Sequence, residues 1–167
     1  MSTPDREQHK EAPIIVVGSL NMDLVMRTPR VPVGGETLTG HEFSTLPGGK
    51  GANQAVACAR LGARVAMIGQ VGQDSFGKTL CDGLAADGVD IRGIRQDSNI
   101  GTGVAMILVE DIGQNRIVLA PGANGTLSLS DMDACVSVLQ QAAMLIVQLE
   151  VPLPVVQRAM EIAHAAG

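Results

Sequence analysis

Apolar residues fall in short unbroken runs that alternate with stretches of helical spacing. Residues 14–17 (IIVV) form a continuous β-branched run closed by Gly18, the pattern of a strand buried on both faces in a parallel sheet. A simple nucleotide-binding unit would place a helix next. Instead residues 23–28 (DLVMRT) and 36–44 (ETLTGHEFS) predict two further extended segments, separated by the Pro- and Gly-containing stretch 29–35. From Lys50 small residues recur at helical spacing (Ala52, Ala55, Val56, Ala59) up to Gly62, which is placed to end the helix. Residues 65–71 predict an apolar strand, 74–86 a helix ending near Gly88, and 103–110 with 115–120 a hairpin about 111–114. Residues 130–141 predict a helix capped by Ser128 or Ser130, 144–149 (MLIVQL) a strand, and 152–166 a helix opening on prolines. This alternation predicts an α/β fold, a mostly parallel sheet flanked by helices, with extra strands projecting from the end of the first one.

Composition narrows the function classes. At 167 residues the chain is a single domain or part of one, and 46% hydrophobic against 17% charged residues excludes intrinsic disorder. Phe43 and Phe76 are the only aromatic residues, so no platform for stacking bases or sugar rings can be built, and a sugar would be held by hydrogen bonds. With 17 acidic residues against 12 basic ones, nucleic acid and anionic membranes are not expected partners. No stretch reaches the ~18 apolar residues of a membrane span. Residues 1–13 are charged without an apolar run, a frayed tail rather than a signal peptide. Cys58, Cys81 and Cys135 have no ligand spacing and read as reduced core thiols, consistent with a cytoplasmic protein.

Four places could carry chemistry. Residues 72–79 (GQDSFGKT) satisfy the phosphate-loop pattern between a strand and a helix. Physical chemistry argues against that use, because Asp74 would put a carboxylate among amides meant for phosphate and Phe76 a bulky ring in the loop. Asp74 or Ser75 is better employed as a helix cap. Residues 46–53 (LPGGKGAN) place glycines at a helix N-terminus, where amides can receive oxygen atoms, or else form a tight turn. Asn21 and Asp23, two apart in an extended segment, share a face, and an amide beside a carboxylate suits adjacent hydroxyls. Glu150 ends an apolar strand, at the edge where ligands bind in open α/β sheets. The histidines form no cluster, no metal-ligand spacing stands out, and Asn124-Gly125-Thr126 reads as a turn.

Taken together these residues resemble the amino-terminal half of the ribokinase-like carbohydrate kinase family. The likeness runs from Ile14 to Gly167 and is carried by Gly48, Gly49, Gly51, Asn53, Ala55, Gly62 and Gly72. GSLNMD (18–23), GGKGANQA (48–55), TGVAMI (102–107), PGAN (121–124) and QLE (148–150) point to its ribose-phosphorylating members. The resemblance implies that Asn21, Met22, Asp23, Gly48, Gly49, Lys50, Gly51, Ala52, Asn53 and Glu150 bind the sugar, D-ribose or a related pentose, with Ala105 and Ile107 lining its apolar side. It implies a small β-sheet lid from residues 23–45 and 103–120 that also pairs two subunits as a homodimer, and it reassigns 72–79 to a strand end and helix start. ATP, Mg2+ and K+ are implied cofactors of the complete enzyme. The family's catalytic base, nucleotide pocket and cation site lie in a carboxyl-terminal half with no counterpart here. The expectation is therefore a fold truncated before its nucleotide-binding half, with no catalytic, cofactor or metal residue of its own and inactive alone. A noncatalytic sugar-binding or dimerisation module is the alternative, and a phosphate-loop nucleotidase using 72–79 the third.

Overall fold

The computed structural model describes residues 12–167; the tail expected at 1–13 lies almost wholly outside the described residues. Two four-stranded sheets organise the chain. The first is parallel throughout, in the order β5-β4-β1-β8, built from β1 (Ile14–Val17), β4 (Val65–Gly72), β5 (Asp90–Asp97) and β8 (Met144–Val147). The second is mixed, in the order β3-β2-β6-β7, from β2 (Asn21–Thr28), β3 (Glu42–Gly48), β6 (Gly103–Glu110) and β7 (Asn115–Ala120). Within it β2 runs parallel to β6, while the β2–β3 and β6–β7 pairs are antiparallel.

The apolar runs explain the layers. On one face of the parallel sheet Val16, Met67 and Val71 pack against Ala52 and Ala55 of α1 (Lys50–Arg60) and Leu80 and Leu84 of α2 (Ser75–Ala86). On the other, Ile15, Val17 and Ile68 meet Met132 of α3 (Leu129–Ala134), Leu139 of α4 (Val136–Leu139) and Val155, Ala159 and Ile162 of α5 (Leu153–Ala166). Each such fully buried Val, Ile, Leu or Met contributes about 1.5–3 kcal/mol relative to exposure. Gly62 and Gly88, at φ +87° and +84°, follow the ends of α1 and α2 as the sequence predicts.

Four elements differ from the sequence reading. The segment expected at 36–44 is β3 at Glu42–Gly48, which continues through Pro47; β3 is an edge strand, where proline is tolerated. β5 has no counterpart in the sequence reading. Asp90, Arg92, Arg95 and Asp97 mask it, and one extra residue opposite Ala66 and Ile68 breaks the alternation, so Ile91 and Ile94 face the same core. The helix expected at 130–141 is two short ones, interrupted at Cys135 (φ −101°, ψ 9°), beyond which Val136 and Val138 are weak helix formers. The strand expected at 144–149 stops at Val147, because Gln148 Oε1 accepts the Glu150 amide at 2.5 Å and turns the chain. A 3-10 turn (Gly122–Thr126) bridges the two sheets.

Candidate functional site

The carboxyl ends of β1 and β8 meet the N-terminus of α1, and glycine makes the approach possible. Gly49 precedes the helix at φ +93°, a backbone region that L side chains rarely adopt, and a Cβ there would lie 2.7 Å from both Asn21 N and Ser19 O. A Cβ on Gly51 would lie 2.7 Å from Gly18 C and Ser19 N, so helix and strand end are in backbone contact. Glu150 closes this seam. Its carboxylate accepts from the Ser19 hydroxyl at 2.7 Å and the Lys50 amide at 3.3 Å, and forms an ion pair with Lys50 Nζ. Gly51 N reaches Ser19 Oγ at 3.4 Å and Ala52 N donates to Ser19 O at 3.0 Å. The helix amides that the glycine pattern offered to a ligand are thus occupied by the protein's own oxygens, and Glu150 doubles as the cap of α1.

Asp23 stands on β2 opposite Leu46 of β3 and Ala105 of β6. Strand alternation puts it on one face with Asn21, as the sequence predicts. Gly48, opposite Asn21, has its missing side chain replaced by the Asp23 carboxylate, which would overlap any Cβ there. Burial, then the charge of Glu150, pushes the Asp23 carboxyl up, against the opposing pull of Lys50. Burial also pushes Glu150 up, but its hydrogen bonds from Lys50 and Ser19 outweigh this and hold it below its usual range. Asp23, Lys50 and Glu150 therefore form one electrostatic cluster, from sequence positions up to 127 residues apart.

Ala105 and, two positions on, Ile107 continue the same face as Asp23, as an apolar wall. Met22 and Ala52 are buried in the core and serve packing. Asn53 is exposed; it lines a groove of about 270 Å³ between α1 and α2, with Val56, Leu80 and Leu84, and makes no hydrogen bond to Asp23 or Glu150. A cavity of about 740 Å³ lies at the other end of the parallel sheet, beside Pro13, Arg64 and Gly93, away from this cluster.

Residues 72–79 are not a phosphate cradle. Asp74 caps α2, its Oδ1 accepting from Gly77 N at 2.8 Å and from the Thr102 hydroxyl at 2.7 Å, while Oδ2 accepts from Thr102 N at 2.8 Å. The loop is the first turn of the helix, and Lys78 pairs with Asp82 on the exposed side of α2, at 2.6 Å. Lys78→Ala is accordingly expected to leave nucleotide binding, measured by equilibrium dialysis with ATP, unchanged. The loss of a solvent-exposed i,i+4 pair changes stability by at most about 0.5 kcal/mol.

Two site residues escape the sequence reading. Ser19, fully buried, links Glu150 to α1, and Asn124, 1% exposed, holds the β1–β2 junction. Both lie in motifs that carry the resemblance, 18–23 and 121–124, but nothing local reveals these roles, because Ser19 meets Glu150 across 131 positions and Asn124 meets Leu20 across 104.

A family model, "pfkB family carbohydrate kinase", matches residues 12–167. The chain is 49% identical to a ribokinase of Schizosaccharomyces pombe over 92% of its length and 50% of that protein's, and 45% identical to one of Haemophilus influenzae with the same coverage. Its fold matches a structure of Arabidopsis thaliana ribokinase complexed with ribose and ATP, with a TM-score of 0.84, 32% identity, and coverage of 93% of this chain and 51% of that one. The chain spans about half the length of the curated relatives it matches.

Proposed function

Since the chain belongs to the pfkB family of carbohydrate kinases, we propose that it supplies the sugar-binding half of a ribokinase, which phosphorylates D-ribose to ribose 5-phosphate with ATP. The observation that carries this reading is the Asp23, Lys50 and Glu150 cluster at the carboxyl ends of β1 and β8, where open α/β sheets bind ligands. Asp23, unpaired by any cation side chain at hydrogen-bond distance, accepts from two neighbouring hydroxyls of the sugar. Lys50 and Glu150 offer a donor and an acceptor beside it, and Ala105 and Ile107 cover the apolar edge of the ring. In-line phosphoryl transfer requires that the acceptor hydroxyl be held in fixed orientation, and this is the contribution of these residues.

ATP would bring the phosphoryl group and Mg2+ its charge neutralisation. Among the described residues no three His, Cys, Asp or Glu converge to hold a metal ion, and the amides at 72–79 and at the start of α1 are taken. The family resemblance puts the base for the attacking hydroxyl outside the half matched here, and a missing base costs about 10²- to 10⁴-fold in rate, so these 167 residues alone are expected to bind D-ribose and release no ADP. The mixed sheet acts as the lid over the sugar and as the pairing surface of a homodimer. Leu46 and Ile117 on the face it shares with Asp23, and Phe43, Met106 and Val118 on the other, are all exposed.

The test is the pH dependence of ribose affinity. The sugar needs ionised Asp23, so affinity is full above the Asp23 pKa and falls as pH drops through it. Because that pKa is raised from 3.8, the decline begins at a higher pH than an ordinary aspartate would give. Folding stability responds in the opposite sense: an acid whose folded pKa is raised binds its proton more tightly in the folded state, so acidification through the same window relieves the burial of charge at Asp23. Ribose titrations and thermal melts at pH 7 and on stepwise acidification, each compared with Asp23→Asn, check both. A flat wild-type affinity across the window contradicts the assignment.

A further inference from the structure

The junction between the two sheets, residues 18–20, is gripped by the 3-10 turn through one buried side chain. Asn124 accepts from Leu20 N at 2.9 Å, and its Nδ2 donates to Leu20 O at 2.9 Å and to Asn21 Oδ1 at 2.8 Å. The turn itself is moored by Ala123 N donating to Gly101 O at 2.9 Å and by Gln70 Nε2 reaching Thr126 Oγ1 at 3.2 Å. Gly103, beside Asn21 in the sheet, leaves the room: a Cβ there would overlap both Asn124 Nδ2 and Asn21 Oδ1.

These bonds have a fixed direction. A backbone N–H only donates and a backbone carbonyl only accepts, so Leu20 allows Asn124 one amide orientation, with Oδ1 toward Leu20 N and Nδ2 toward Leu20 O. The second proton of that Nδ2 then dictates the orientation of Asn21, which must present its oxygen to Asn124. We propose that Asn124 is a positioning residue that locks the Asn21 carboxamide with its Nδ2 as the donor left for the ligand. Asp23, on the same face, is an acceptor. The site thereby reads a pair of hydroxyls by polarity, one accepting from Asn21 and one donating to Asp23. That the ligand is a sugar rests on the function proposed above; the amide orientation does not.

Side-chain amide NMR of the full 15N-labelled chain decides the orientation without ligand. The Asn124 NH2 protons should exchange roughly tenfold more slowly than those of Asn21. Asn21→Ala should shift one Asn124 amide proton and leave the other in place. Asn124→Asp should slow exchange of the Asn21 NH2 protons, since a carboxylate there calls for the Asn21 Nδ2; should that variant fail to fold, Asn21→Ala still decides. An Asn21 amide as protected as that of Asn124 in the wild type, or an Asn124 pair unmoved by Asn21→Ala, overturns the proposal. Adding D-ribose should move the Asn21 NH2 resonances. Movement of the backbone amides of residues 48–50 without them overturns the donor role. A spectrum that ribose leaves wholly unchanged refutes the sugar reading, while the ligand-free exchange order still decides the lock.

Discussion

Gly49→Ala is expected to destabilise the fold strongly. At φ +93° the substituted residue would carry backbone strain of about 1–3 kcal/mol. Its Cβ would also press within 2.7 Å of Asn21 N and Ser19 O, backbone atoms that cannot swing aside as a side-chain end could. Forced overpacking adds roughly 1–3 kcal/mol. The sum approaches the whole stability of a marginal domain, about 5–15 kcal/mol. Urea melts should show a large drop in midpoint for Gly49→Ala. By contrast Gly62→Ala, equally at positive φ but with open space around its Cβ, should lose only the conformational part. Equal losses at the two positions would show that the contact between α1 and the strand end matters less than the geometry implies.

Asp23→Asn should have the largest effect on ligand binding with little effect on folding. The substitution is close to isosteric, so it keeps the fill opposite Gly48, and it removes a carboxylate whose ionisation burial and Glu150 disfavour. Stability at neutral pH should therefore hold or rise slightly. The loss of a charge-assisted hydrogen bond to the sugar is worth ~1.5–3 kcal/mol, or roughly 10- to 150-fold in affinity. Glu150→Gln is the informative counterpart. It loses the Lys50 ion pair and weakens the bonds to Ser19 and to the first amide of α1, so a fall in melting temperature should accompany any loss of affinity.

The parallel sheet is legible because IIVV, the run at 65–71 and MLIV are unbroken apolar runs that need no alternation to be seen. β5 is not, because a bulge puts Ile91 and Ile94 on one face three positions apart, a spacing that breaks strand alternation. β3 was displaced because Leu46-Pro47-Gly48 has the composition of a turn, and only its place at the sheet edge lets proline continue a strand. The carboxylates of the site are legible for a simple reason: Asp23 and Glu150 each follow a buried strand. Asp74 as a cap is legible too, since capping is local. Ser19 and Asn124 carry no such mark. Ser19 bonds Glu150 across 131 positions and Asn124 bonds Leu20 across 104, contacts that exist only once the sheets have assembled. The occupation of the α1 amides by Glu150 is equally invisible beforehand, and it changes the site from an open helix end to a capped one beside a single unpaired carboxylate.

Sugar binding by the Asp23, Lys50 and Glu150 cluster is open to a single calorimetric experiment. Isothermal titration of D-ribose into the 167-residue chain at neutral pH tests it most directly. A saturable heat with one site per chain is expected, sharply weakened by Asp23→Asn and unaffected by Lys78→Ala. No heat from the folded wild-type chain, or the same isotherm from Asp23→Asn, would contradict it.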